Sequence, residues 1–169
     1  MPTLPPWADP TDRLALPSPR LRHGAALEML ARAAAAALRL GQPQCITVVD
    51  AGGAVIAQVR MDGGRLNALA ISETKARTAA STGSPTGPTD EDLAVALACG
   101  GRQTGLLGGL PIWLDGVLAG GIGVSSGPGE VDRACAEAAF ALSERLSWSA
   151  PTAASTSPPL SPTPPTDAA

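Results

Sequence analysis

The sequence predicts an α+β domain built on an antiparallel sheet, because it contains two β-hairpins separated by helical segments. The later hairpin, over residues 110–124, turns at Asp115-Gly116. An Asp-Gly pair supplies the positive φ angles that a tight type I′ turn requires. The earlier hairpin, over residues 45–60, turns at Ala51-Gly52-Gly53. Two hairpins with helices between them are typical of an antiparallel sheet that helices cover.

Helical spacing of apolar residues predicts the first two helices. The first is expected over residues 20–40, because Gly41 ends it and Pro43 follows two residues later. Its buried stripe is predicted from four residues at helical spacing: Leu27, Leu30, Ala34 and Leu38. The middle helix is expected to start with Asn67 as its cap and to continue to about Ser81. Mainly small residues form its packing face and let its backbone approach a neighbour closely: Leu69, Ser72, Ala76, Ala79 and Gly83.

The remaining elements complete a five-stranded sheet. A short helix is expected over residues 91–98, with Thr89 or Asp90 as its cap. The glycine-rich passage 100–109 is expected to contain a short fifth strand, and the last helix is expected to begin near residues 128–129. The predicted order of elements is α-β-β-α-α-β-β-β-α.

Length and composition indicate one domain with two tails. The chain has 169 residues, of which 44% are hydrophobic, enough for a buried core. Residues 1–19 form an arm punctuated by prolines, and residues 149–169 form a Pro/Ser/Thr/Ala tail. Both are expected to be disordered, because such composition buries too little apolar surface to offset the ordering entropy. Residues 20–148 are therefore predicted to form the folded domain.

Charge and cysteine usage exclude several classes of protein. The net charge is −3 and no basic stripe is present, which argues against a nucleic-acid partner. No stretch approaches the ~20 apolar residues that span a membrane, and the N-terminus lacks the organisation of a signal peptide, so a cytoplasmic protein is expected. Cys45, Cys99 and Cys135 are odd in number and contain no CxxC pair. We interpret them as small buried hydrophobic residues, not as disulfide partners or zinc ligands.

Three segments in sequence carry a resemblance to a known family: VVDAGGAVIAQVRMDG at 48–63, TKARTAA at 74–80 and GGLPIWLDGVLAGGIGVSSG at 108–127. With the Ala-rich helix that follows, they resemble the GlcG/HbpS family, whose members are described as haem-binding or haem-degrading. The chain is also similar to the C-terminal domain of PduO-type corrinoid adenosyltransferases. The resemblance covers roughly residues 21–146. It implies a five-stranded antiparallel sheet flanked by helices, of profilin-like or PAS-like appearance.

His23 is the only histidine of the chain, which also contains no tyrosine. Any imidazole chemistry within one chain therefore passes through this residue. His23 precedes Leu27 by four residues on the first predicted helix, which places both on one helix face. The resemblance makes His23 a candidate axial ligand of a haem iron. The alternative is an ordinary histidine at a helix start.

Lys75 and Arg102 are the candidate partners of ligand carboxylates, such as the propionates of a haem. Glu73 stands four residues before Arg77 and is expected to pair with it, whereas Lys75 has no evident local partner. Arg102 emerges from the glycine-rich passage. For Lys75 and for Arg102 the alternative interpretation is a solvated surface position.

The glycines between Gly121 and Gly127 superficially suggest a nucleotide-binding loop. Their spacing is G-x-G-x-x-x-G, however, and the preceding strand belongs to an antiparallel hairpin, which is not the setting of that motif. We expect these glycines to permit tight packing of a helix on the sheet. An anion held by the backbone amides of Ser126 and Gly127 is the alternative. Asp50 and Asp115 are interpreted as turn residues, not as catalytic carboxylates.

Three hypotheses of function follow from the residues and the resemblance. The leading one is a soluble, oligomeric protein that binds haem or a related tetrapyrrole, with His23 as axial ligand and Lys75 or Arg102 pairing with propionates. The second is a small enzyme that acts on a small carboxylate or a specialised metabolite. The third is an accessory module that forms oligomers and binds no ligand of its own. The resemblance implies a homo-oligomer, because the family often forms higher oligomers.

Overall fold

A computed structural model of the chain describes residues 19–90 and 92–151. The helices are α1 (His23–Arg39), α2 (Leu66–Thr82), α3 (Asp92–Ala98) and α4 (Gly129–Ala138), which a 3-10 turn continues over Ala139–Leu142. The strands are β1 (Cys45–Asp50), β2 (Val55–Arg60), β3 (Gly109–Leu114), β4 (Val117–Ser125) and β5 (Leu146–Ser147). Apart from residues 19 and 149–151, the predicted arm and tail lie outside the described residues.

The five strands form one antiparallel sheet in the order β2-β1-β4-β3-β5, which confirms the predicted α+β class. The position of the fifth strand along the chain was predicted wrongly. It follows the last helix and pairs with β3 through Trp113 and Ser147 instead of lying within residues 100–109. Positive φ angles at Gly100, Gly101 and Gly108 explain the error, because that backbone is incompatible with a continuous strand.

One face of the sheet is covered by α1 and α4, and the side chains between them form the main hydrophobic core. Ile46 and Val48 of β1 point into this core together with Ile122 and Val124 of β4. The predicted stripe of α1 was right at Leu30, which is buried, but wrong at Leu27 and Leu38, which are 57% and 72% exposed. The buried residues of the helix are mostly small and allow close approach: Ala26, Met29, Leu30, Ala33, Ala36 and Ala37.

The other face of the sheet is covered by α2, which lies directly on the glycines of β4. A side chain added at Gly121 would collide with the carbonyl oxygen of Ala76, and one added at Gly123 would collide with that of Ser72. The two backbones therefore touch with no side chain between them. This contact confirms the prediction that the glycines permit tight packing of a helix on the sheet.

Helix ends follow the glycine signals more closely than the predicted caps. Gly41, two residues after the end of α1, and Gly83, directly after α2, have φ angles of +66° and +64°, as a left-handed terminating residue requires. Asn67 is not the cap of α2, since the helix already begins at Leu66 and Arg65 stands at the cap position without a side-chain hydrogen bond. Thr89 does precede α3, and its N–H and hydroxyl both donate to Asp92 at 2.9 and 2.6 Å.

The cysteines differ in burial. Cys45 and Cys135 are buried, as predicted, whereas Cys99 at the end of α3 is half-exposed, so the prediction was wrong for this residue. Burial, followed by the nearby charge of Asp132, raises the pKa of the Cys135 thiol to about 11. Cys135 therefore remains a neutral thiol inside the core, whereas solvent reaches Cys99.

Candidate functional site

His23 is the first residue of α1, and its side chain is exposed between two clefts. The first, named here the β2 cleft, has a volume of about 710 Å³ and is bounded by the β1–β2 turn and by Val55 and Ile56 of β2. The second, the β5 cleft, has a volume of about 620 Å³ and is bounded by β5 and the 3-10 turn. The segment from Arg20 to His23 lines both clefts, so His23 stands on the ridge that separates them.

The two clefts offer different surroundings to a ligand. The β5 cleft has a wall of aliphatic side chains together with Arg145, and these side chains are Leu21, Leu114, Leu142 and Leu146. The β2 cleft adds the carboxylate of Asp50, but this group is engaged, because its Oδ1 accepts the N–H groups of Gly52 and Ala54 at 2.9 Å. Asp50 therefore acts as a turn residue, as the sequence predicted.

Asp115 also belongs to a turn. It has a φ of +50° in the β3–β4 connection and pairs with Arg145, which lies just before β5. The guanidinium of Arg145 holds the pKa of the Asp115 carboxyl below its ordinary value, mainly through their hydrogen bonds. The pair ties the second hairpin to the edge strand, and it closes one end of the β5 cleft through Arg145.

Arg102 is exposed in a third cleft of about 650 Å³, which also contains Arg77 and Cys99. Arg77 is paired with Glu73 at 2.6 Å, as predicted, and donates to the Gly53 carbonyl at 2.9 Å. Ala51 and Gly52 of the β1–β2 turn line both this cleft and the β2 cleft. Arg102 and His23 therefore lie on two sides of one turn.

Lys75 lies in α2, and its ammonium is buried. It donates to the carbonyl of Val124 and to Asp132 Oδ2, each at 2.7 Å, and both side chains of the ion pair are 3% exposed. Lys75 has no local partner, as the sequence indicated, but it has a distant one, because Asp132 lies on α4, far along the sequence. Burial lowers the pKa of Lys75, and the hydrogen bond and charge of Asp132 partly oppose that shift.

A fourth cleft, of about 500 Å³, has Lys75 and Asp132 among its walls and is named here the Lys75 cleft. Arg65 and Asn67 contribute polar groups, and four residues give it apolar sides: Leu66, Ile71, Leu106 and Leu107. The β4–α4 connection forms the remaining wall. Here the Gly127 N–H donates to Asp132 Oδ1 at 3.0 Å. This amide is therefore already hydrogen-bonded within the protein and is not available to bind an anion.

The structure does not bring the three predicted site residues to one point. Lys75 lies on the helix that covers the glycine face of the sheet, whereas His23 lies on the helix that covers the opposite face. Arg102 occupies a separate cleft. The sequence analysis missed Arg20 and Arg22, which line both clefts beside His23, although their proximity in sequence was visible. It also missed the role of Asp132 as partner of Lys75.

In residues 19–90 and 92–151, no group of three or more His, Cys, Asp or Glu side chains is arranged to hold a metal ion. Among the helices in that part, none is both long enough and apolar enough to cross a membrane.

Comparison with known proteins identifies the family. Residues 21–141 match the family described as haem degrading protein HbpS-like, and the chain belongs to that family, which confirms the resemblance. A curated relative from Citrobacter freundii, an uncharacterized 15.0 kDa protein of the dhaT-dhaS intergenic region, is 34% identical over 127 residues. That alignment covers 69% of this chain and 87% of the relative.

Solved structures share the fold. The crystal structure of HbpS is 31% identical with a TM-score of 0.69, covering 76% of this chain and 94% of that one. The crystal structure of a PduOC:heme complex is 26% identical with a TM-score of 0.70, covering 75% of this chain and 96% of that one. The five-stranded α+β architecture is therefore that of the HbpS-like proteins.

Proposed function

We propose that this protein binds haem, or a closely related tetrapyrrole, in the clefts on either side of His23, with the imidazole as axial ligand of the iron. The observation that carries the proposal is the position of His23. The only histidine of the chain is exposed on the ridge between two clefts and is adjacent to Arg20 and Arg22. The family described as haem degrading and the heme complex of the relative PduOC support the same ligand.

The residues around His23 suit the parts of a haem. A porphyrin is flat and largely apolar, and the aliphatic wall of the β5 cleft offers it a matching surface. Its two propionates require cations, and guanidinium groups bind carboxylates through paired hydrogen bonds. Arg20 and Arg22 line both clefts together with His23, which makes them better placed for the propionates than Lys75.

Arg102 remains a proposed ligand contact of a different kind. Its cleft shares Ala51 and Gly52 with the β2 cleft, so it lies beside the His23 clefts but is not part of them. We propose that it binds an anionic substituent that extends past the β1–β2 turn.

We further propose that the protein is a homo-oligomer. Several large aliphatic side chains on the helices lie mostly in solvent, and burying them between subunits would remove apolar surface from water. They are Leu27 and Leu38 of α1 and Leu93 and Leu97 of α3, between 57% and 73% exposed. Light scattering on the purified protein is expected to give a multiple of the chain mass, and a strict monomer would contradict this proposal.

A hemin titration followed by absorption spectroscopy tests the haem proposal. The wild-type protein is expected to shift the Soret band with saturation at a fixed stoichiometry, and His23→Ala is expected to lose the histidine-ligated spectrum. Replacing Arg20 and Arg22 by Ala is expected to weaken binding about tenfold, as the loss of charge-assisted hydrogen bonds implies. Arg39→Ala is the matched control, since this exposed arginine in the last turn of α1 lines neither cleft.

Two results would contradict the haem proposal. An absent Soret shift would exclude binding, and a spectrum of His23→Ala identical to that of the wild type would exclude His23 as the ligand.

A further inference from the structure

Lys75 is the only lysine in the chain, whose other eleven basic residues are all arginines. Every exposed cation in the described residues is thus a guanidinium, and the single primary amine of a side chain is buried against Asp132. Lysine differs from arginine in that its compact amine loses a proton readily when buried. The position of Lys75 therefore combines the one reactive amine of the side chains with a low-dielectric environment.

The amine is buried but borders a cavity. The hydrogen bonds to Val124 and Asp132 use two of the three donors of an ammonium. Lys75 also forms part of the wall of the Lys75 cleft, whose volume of about 500 Å³ suits a small organic molecule. Ser126 lines the same cleft with a φ of +121°, a conformation that residues other than glycine rarely adopt and that is often associated with functional sites.

We propose that Lys75 is an amine nucleophile that forms a Schiff base with a small carbonyl compound bound in the Lys75 cleft. The ammonium first transfers a proton to Asp132, and the lone pair of the neutral amine attacks the carbonyl carbon. The carbonyl oxygen takes two protons through Asp132, one received from the ammonium in the first step and one lost by the nitrogen after its attack, and it leaves as water when the carbon–nitrogen double bond forms. One molecule of the carbonyl compound and one amine thus give one imine and one water, without an oxidant or a reductant.

The environment of Lys75 favours the first step. Burial lowers the pKa of the amine, which increases the neutral fraction near pH 7. The Asp132 carboxylate, 2.7 Å from the amine, is close enough to accept the proton directly. This arrangement of a buried amine beside a carboxylate in a partly apolar cavity is the general pattern of an activated lysine nucleophile.

The walls of the cleft define the class of ligand. Leu66, Ile71 and Leu106 suit a short aliphatic chain, and the guanidinium of Arg65 suits a carboxylate. Aliphatic aldehydes and 2-oxo acids both carry an electrophilic carbonyl carbon next to a short chain. Butanal is the probe for the aldehydes, and 2-oxobutanoate is the probe for the 2-oxo acids.

Reductive trapping on the full-length protein tests the proposal. The protein is incubated at pH 7 with one probe and sodium cyanoborohydride, and the adduct is located by peptide mass spectrometry. Apart from Lys75, the amine available for trapping is the N-terminal α-amino group. An exposed lysine of ordinary pKa would react more slowly than that group. We expect the opposite order, with at least about tenfold more adduct on Lys75.

Paired variants show whether Lys75 reacts with a molecule bound in the Lys75 cleft or reacts as an amine that needs no binding site. Leu106→Trp is expected to fill the mouth of the cleft and reduce trapping on Lys75 at least tenfold. Leu40→Trp is the matched control, since this exposed leucine at the end of α1 lies outside the cleft. Arg65→Ala is expected to reduce trapping of 2-oxobutanoate alone if the ligand is a 2-oxo acid, with Arg32→Ala as its control. An unchanged ratio of the two probes in Arg65→Ala identifies an aldehyde.

The proposal is overturned if both probes label only the N-terminal amine of the folded protein, while Lys75 is labelled after unfolding in urea. It is also overturned if Leu106→Trp and Leu40→Trp trap equally on Lys75. The hemin titration tests the clefts beside His23, whereas reductive trapping tests the Lys75 cleft. Either proposal can therefore fail without affecting the other.

Discussion

The Lys75 cleft and the clefts beside His23 both contain cations, but they differ in how those cations are held. The Lys75 ammonium has two protein acceptors at 2.7 Å and is almost fully buried. His23 and Arg22, in contrast, are exposed at the start of α1, where solvent surrounds them. A buried charge is positioned during folding, whereas an exposed charge is ordered by the ligand that it meets. The Lys75 cleft is thus preformed, whereas the positions of the charged side chains in the clefts beside His23 depend on the bound ligand.

The largest difference between the two regions is expected in stability. Lys75→Met leaves the Asp132 carboxylate buried without its cation, so the free energy of unfolding is expected to fall by about 3–5 kcal/mol. Urea denaturation followed by circular dichroism measures this loss. Lys75→Met with Asp132→Leu is expected to recover most of it, because no charge is then left unpaired. Arg77→Met, which breaks the half-exposed pair with Glu73, is the control and is expected to cost at most about 1 kcal/mol.

A loss below about 1 kcal/mol in Lys75→Met would show that water readily reaches Asp132 in the variant. The Lys75 cleft would then not be preformed by a buried ion pair.

Cysteine labelling tests a related contrast between a buried and an accessible group, namely Cys135 in the core and Cys99 in the cleft of Arg102. The pKa of Cys135 rises from 9.0 to about 11, which lowers the thiolate fraction at pH 8 by about a hundredfold. Iodoacetamide is therefore expected to modify Cys135 at least about a hundredfold more slowly in the folded protein than after unfolding in urea. Half-exposed Cys99, which lines the cleft of Arg102, is expected to be labelled first. Mass spectrometry with time identifies the sites, and early labelling of Cys135 would contradict the assigned burial.

The contact between α2 and β4 provides a test of intermediate size. Gly123→Ala places a Cβ atom against the Ser72 carbonyl and 2.6 Å from the backbone nitrogen of Ala76, so α2 must shift. We expect a loss of about 1–3 kcal/mol in the free energy of unfolding. Gly24→Ala is the control, because nothing lies within 4 Å of its added Cβ on α1, and it is expected to stabilise by about 0.5–1 kcal/mol. Equal effects would mean that the two backbones are not in contact.

The smallest effect on stability is expected at His23. His23→Ala removes an exposed side chain at a helix start, so the free energy of unfolding is expected to change by less than about 0.5 kcal/mol. Thermal melts monitored by circular dichroism with and without hemin measure this change. Without hemin the variant and the wild type are expected to melt alike, and with hemin only the wild type is expected to gain stability. A large loss without hemin would make His23 a structural residue.

Local patterns predicted the parts of the fold that depend on neighbouring residues. The Asp115-Gly116 turn, the Asp50 turn and the glycine contact with α2 each follow from residue types that few other conformations tolerate. The phase of α1 could not be predicted from apolar spacing, because the helix is rich in alanine, which fits a buried or an exposed position equally well. The leucines therefore misled the assignment of its buried face.

The candidate site depended on contacts that no local pattern reveals. Lys75 and Asp132 are 57 residues apart, and only the folded sheet brings their helices together at the end of β4. The one sequence signal was that Lys75 is the single lysine among eleven arginines. A lysine at such a position indicates that the compact ammonium fits there and the larger guanidinium does not. The position of Arg20 and Arg22 was equally visible, but the clefts that give these residues a role are formed by β2 and β5.

The glycine contact beneath α2 has a consequence for altering this protein by design. Because backbone meets backbone at Gly121 and Gly123, the depth of the helix is set by atoms that no exchange of side chains at exposed positions can change. The amine of Lys75 is thereby kept at a fixed distance from the sheet, while residues such as Leu66 and Ile71 can be varied around it. Libraries at those positions are expected to change the size of molecule that enters without displacing the nitrogen.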